Sequence, residues 1–115
     1  MRLLNIFAAL SGLLALGMLV AAAHGLQATP DDVERIKLAA FVQLGAAAAG
    51  LAISNRSGRL NLVAGFLILT GALLFAGTLY AIAIADLRSI ILLAPVGGTT
   101  LLAGWLVLVF AKPGN

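Results

Sequence analysis

The sequence predicts an all-α polytopic membrane protein, a four-transmembrane-helix bundle with both termini on the same side. Three observations carry this. The 115 residues are 63% hydrophobic and 10% charged, whereas a soluble domain runs at roughly 45–50% apolar and about 25% charged. Mean hydropathy is +1.15. Four apolar runs divide the chain, and the short polar stretches beside them hold all of its charge. Such a chain cannot cover its own surface with polar groups in water. Lipid removes that need, provided every backbone group is bonded internally, as it is in a helix. Spans of ~20 residues suit a ~30 Å hydrocarbon core. Four of them make residues 1–115 a single membrane domain with no soluble module.

The first run, Leu3 to Ala23, reaches ~31 Å as a helix. His24, Gly25, Gln27 and Thr29-Pro30 end it. Arg2 followed by an apolar stretch and Ala21-Ala22-Ala23 resembles a signal peptide, but the run exceeds the usual ~7–15 apolar residues. The second helix is signalled from Thr29, a suitable N-cap, with Pro30 at the first helical position and Asp32 three residues on. Asp31, Asp32 and Glu34 set negative charge at the positive end of the helix dipole. Its apolar part, within a span of about 33–53, is short, so Arg35 and Lys37 are expected to snorkel toward the headgroups. Ser54-Asn55-Arg56-Ser57-Gly58-Arg59 is a tight polar turn, which makes helices two and three antiparallel neighbours. The third run, 60–85, ends at Asp86 and Arg88. The fourth, 90–111, carries Pro95 and Gly97-Gly98 near its start, where a kink or a late helix start is expected.

The formal charge of +3 reflects topology rather than nucleic-acid binding, because no run of Lys and Arg with interleaved aromatics exists. Arg2, Arg56, Arg59 and Lys112 share one side with no acid. Arg35, Lys37 and Arg88 share the other with Asp31, Asp32, Glu34 and Asp86. The positive-inside rule then favours cytoplasmic termini. Cysteine is absent, which excludes disulfides and thiolate chemistry.

Helices in lipid associate through close contact at small residues. Candidates are Ala8, Ser11, Gly12 and Ala15 in helix one, and Ala39, Gln43, Ala46, Ala47 and Gly50 on one face of helix two. Helix three offers Ala72 and Ala76 with Gly77, and helix four Gly97, Thr100 and Gly104. Polar groups in the lipid zone come next. Gln43 is expected to bond a neighbouring helix. Tyr80 and Trp105 read as interfacial anchors or packing residues. His24 reads as a helix-end residue, since one histidine cannot build a bis-His haem or a multi-His metal site. No cofactor is expected.

Two stretches carry a resemblance. Ala23-His24-Gly25-Leu26 is similar to an Ala-His-Gly-Leu element. Phe75-Ala76-Gly77-Thr78-Leu79-Tyr80, Pro95-Val96-Gly97-Gly98 and Leu102-Ala103-Gly104-Trp105 resemble Phe-Ser-Gly-Ser-Leu-Tyr, Thr-Pro-Ile-Gly-Gly and Leu-Ala-Gly-Trp, in order and spacing. These belong to small four-helix membrane proteins of unknown function (domain of unknown function 423), which include the YgdD-like bacterial inner-membrane proteins and a mitochondrial relative. The chain departs from the family pattern in helix two, where Ala46 stands at the position of a His, and at Ala94, where the family has Thr. The resemblance implies the four-helix fold and brings no activity with it.

The residues support a structural or accessory membrane protein that packs with itself or with a larger membrane complex. The alternative is a small oligomeric transporter or channel, for which Pro95 and Gly97-Gly98 would supply a broken helix, although no carboxylate lies at mid-span. An enzyme is not expected, because no nucleophile–base set, metal cluster or phosphate-binding loop can be assembled.

Overall fold

The computed structural model describes residues 2–24 and 29–114. Four helices follow one another: α1 (Arg2–His24), α2 (Pro30–Ile53), α3 (Arg59–Ala85) and α4 (Leu93–Phe110). Each is long and apolar enough to cross a membrane. Among the described residues there is no strand. Gly25 and Gln27, expected to help end the first run, and Leu26 of the Ala-His-Gly-Leu element lie outside the described residues.

Local chemistry sets the ends. Thr29 caps α2, its hydroxyl accepting from the Asp32 N–H at 3.2 Å, with Pro30 in the first turn. The Asp32 carboxylate turns to Arg35 at 2.7 Å, so only the Thr29 half of a capping box is seen. Gly58, at φ 101°, turns the chain into α3 with a backbone that a side chain would resist. Asp86 closes α3 in the left-handed region (φ 53°, ψ 36°), which Asp tolerates better than most residues.

The fourth helix starts at Leu93 rather than near Ile90, after a 3₁₀ turn over Arg88–Ile90. The Ile91 carbonyl, which the Pro95 ring would crowd in a longer helix, accepts from the Ala94 N–H instead. Pro95 thus falls in the first turn, where its missing N–H has no partner to lose. From there α4 is continuous to Phe110, so Pro95, Gly97 and Gly98 do not form a broken helix.

Helix α3 is central. It packs on α2 on one side and α4 on the other, while α1 lies on α2 and meets α3 more lightly. The cross-section is accordingly oblong, 26 × 18 Å over a length of 46 Å. On one face of α3, Gly65 receives Leu4 of α1, and Leu69 sits beside Gly50 of α2. On the other face the backbones of α3 and α4 meet. A Cβ on Gly71 would stand 2.4 Å from the Leu101 nitrogen, and one on Gly97 would stand 2.4 Å from the Phe75 nitrogen. A Cβ on Gly104 would stand 2.7 Å from the Ile68 nitrogen. These neighbours are backbone atoms and cannot rotate away.

Two expected packing positions are not used. A Cβ on Gly77 would meet nothing within 4 Å, and one on Gly98 would touch only the Phe75 ring at 4.0 Å. Gly71 takes the place given to Gly77, because α4 crosses the Ile68–Gly71–Phe75 face. Gly71→Ala and Gly97→Ala are each expected to destabilise the protein by about 1–3 kcal/mol, the usual cost of overpacking. Gly77→Ala and Gly98→Ala should stay within about 0.5 kcal/mol of the parent. Unfolding in mixed micelles measures all four, and equal effects would reject the glycine seam.

Candidate functional site

Polar side chains gather at two places inside the helices. The first joins α2 to α3. Gln43 is fully buried on the small-residue face of α2. Tyr80 of α3, 6% exposed, donates its hydroxyl to Gln43 Oε1 at 2.7 Å. Ile36, Ala39, Ala76 and Leu79 enclose the ring. Tyr80 is therefore not an interfacial anchor: its polar end turns inward, because the buried amide offers an acceptor. Gln43 Nε2 has no partner among the described residues. An unmade donor costs about 1–3 kcal/mol when buried, so the Tyr80 bond only partly offsets the burial of the amide.

Beside Gln43 a small cavity of about 240 Å³ lies between Leu10, Ser11 and Leu14 of α1 and Leu73 of α3. Chemically the pair is quiet. An amide is not a general base, and the phenolic proton is already committed to it.

The second place lies at the end of the bundle that holds the termini. Asn61, in the first turn of α3, is fully buried. Its Nδ2 donates to the Ser57 carbonyl at 2.9 Å and to the Lys112 carbonyl at 2.7 Å. Its Oδ1 accepts from Arg56 Nη1 at 3.2 Å. One side chain thus ties the α2–α3 turn to the segment after α4. Sequence reasoning passed over Asn61; the available signal was an amide placed just inside an apolar run.

The other candidate positions do not join a site. His24 is exposed at the end of α1, and Pro95 and Trp105 are exposed on α4. Gly97 and Gly104 belong to the seam with α3, and Gly77 and Gly98 border open space. Thr78 and Thr100 donate to the carbonyls of Leu74 and Val96 on their own helices, as Thr does in apolar surroundings. No group of three or more His, Asp or Glu that could hold a metal occurs among the described residues.

Four apolar spans, glycine contacts between backbones and an interior with few polar side chains define an integral membrane protein of the small polytopic class. The chain belongs to the family described as "Protein of unknown function (DUF423)", whose profile matches residues 19–98. It is 32% identical to a UPF0382 membrane protein of Staphylococcus epidermidis, over 96% of this chain and 95% of that one. It is 31% identical to the UPF0382 inner membrane protein YgdD of Escherichia coli, over 94% and 87% of the two chains. No solved structure matches.

Tyr80→Phe should destabilise the protein by leaving the whole Gln43 amide unpaired. Adding Gln43→Leu should return most of the loss, since removing both partners is close to neutral. Interhelical bonds in membrane proteins couple by about 0.6 kcal/mol on average and about 1.7 at most. A double-mutant cycle by unfolding in micelles reads the coupling; additive single effects would show that the bond holds nothing.

Proposed function

We propose that the protein is a structural or accessory component of a bacterial inner (plasma) membrane, packing through its lipid-facing surfaces with further copies of itself or into a larger membrane complex, and that it is not an enzyme. One observation carries this reading. The buried polar side chains are an amide bonded to a phenol (Gln43 and Tyr80), an amide bonded to Arg56 and to two carbonyls (Asn61), and a hydroxyl bonded to its own helix (Thr78); beyond the unpaired Gln43 Nε2 donor, which is neither a base nor a nucleophile, they offer a substrate no reactive group. What the chain does present is apolar: Leu3, Leu10 and Leu13 on α1, and Leu102, Leu106 and Val109 on α4, are all exposed. The transporter reading loses its support at α4, where the helix is continuous.

The inner-membrane assignment rests on YgdD, whose name places that protein there. Cytoplasmic termini rest on Arg2, Arg56, Arg59 and Lys112 at that end, without an acid, against three basic residues and all four acids at the other.

Two measurements test the reading. Purified in mild detergent at native abundance, the protein should emerge as a homo-oligomer or with a membrane partner. A monomer without a companion, in several mild detergents, would defeat it. A phosphatase reporter, active only outside the cytoplasm, should stay silent at the C-terminus and become active when inserted between α3 and α4; the opposite pattern would reverse the orientation.

A further inference from the structure

At the end of the bundle that carries the termini, the α2–α3 turn forms a cleft of about 440 Å³ lined by Arg56, Ser57, Gly58, Arg59 and Leu62. A second cleft, of about 360 Å³, runs along α3 from Leu62 through Phe66 to Thr70 and is closed on one side by Thr100 of α4. Leu62 lines both, so the two adjoin at this residue. Each falls within the ~300–1,000 Å³ typical of small-molecule sites. Because α3 spans the bilayer, the path from Leu62 to Thr70 descends ~12 Å into hydrocarbon. A cationic mouth therefore stands at headgroup level above an apolar channel, which is the order of groups in a phospholipid.

Charge decides which phospholipid. The ion pairs among the described residues are Asp32–Arg35, Glu34–Lys37 and Asp86–Arg88, all at the opposite end. Arg56 and Arg59 have no carboxylate partner among the described residues. The bond from Arg56 Nη1 to Asn61 holds the guanidinium in place while using one of its five N–H donors. Arg59 is exposed beside it. Planar guanidinium groups match phosphate oxygens in pairs of bonds. A zwitterionic headgroup would bring its own cation to this mouth; a net-anionic one would not.

We propose that the α2–α3 turn and the α3–α4 groove beneath it form a seat for an anionic phospholipid, its phosphate on Arg56 and Arg59 and one acyl chain along Leu62, Phe66 and Thr70. The seat is independent of the packing role proposed above.

Native mass spectrometry of the full chain in detergent, titrated with phosphatidylglycerol or with phosphatidylcholine of the same chains, tests it. Phosphatidylglycerol should bind more tightly. Arg59→Gln should weaken it about five-fold, as expected for one surface arginine on an anionic lipid. Arg56→Gln/Arg59→Gln should weaken it further. Arg88→Gln, at the far end, should leave it unchanged. Thr70→Trp, which fills the groove, should also lower phosphatidylglycerol binding. The Arg59 side chain makes no hydrogen bond or ion pair among the described residues, so its variant decides the matter if loss of Arg56 disturbs Asn61. Equal binding of the two lipids, wild-type binding by Arg59→Gln, wild-type binding by Thr70→Trp, or full displacement of phosphatidylglycerol by millimolar inorganic phosphate would each overturn the proposal.

Discussion

The contact between the Gly71 and Gly97 backbones organises the rest of the structure. Lipid tails are as apolar as leucine, so helices in a bilayer gain little by hiding apolar surface from them. Attraction must come from dispersion at close range and from bonds between polar groups. Across the α3–α4 seam the approach is so near that one added carbon at Gly71 would lie 2.4 Å from a backbone nitrogen. That proximity lets α4 attach through a single neighbour. Because α3 already has α2 on its opposite face, the four helices spread into an oblong rather than a square.

The three helix junctions divide the work differently. The α3–α4 seam is steric and depends on glycine. The α2–α3 junction combines small residues with the Gln43–Tyr80 bond, which fixes rotation and register as well as distance. Helix α1 is held by side chains that enter recesses: Leu4 at Gly65, and Ala8 near Gly50. Phe7 of α1 also meets Phe66 of α3 at 6.2 Å between ring centres. Leu4 and Phe7 can change rotamer, so α1 can yield at those two contacts where the α3–α4 seam cannot; the Ala8 methyl is fixed by its backbone.

Much of this was legible in the sequence, and the reasons are local. Apolar runs, the Thr29 cap, the turn at 54–58 and the small-residue face of α2 depend on neighbours close in the chain. What escaped depends on a facing helix. Gly71 has Leu67 and Phe75 four residues away, so no small-residue pair on its own helix flags it; its small partner, Gly97, lies on α4. Tyr80 was assigned to the membrane boundary by residue type, yet a buried glutamine needs a partner, and that need drew the hydroxyl inward. The late start of α4 follows from Pro95, whose ring allows a helix to begin before it but not to pass far through it.

Asn61 adds a dimension of time. Its amide carries two protons: one reaches Ser57, four residues away, and the other reaches the carbonyl of Lys112, near the end of the chain. While the first three spans are being inserted, the second acceptor has yet to be synthesised, and only water at the membrane edge can serve in its place. The bond closes when α4 has crossed and the chain returns to the starting side. The segment that follows α4 thus completes a joint begun in the first turn of α3, and a satisfied Asn61 marks a chain whose fourth span has crossed.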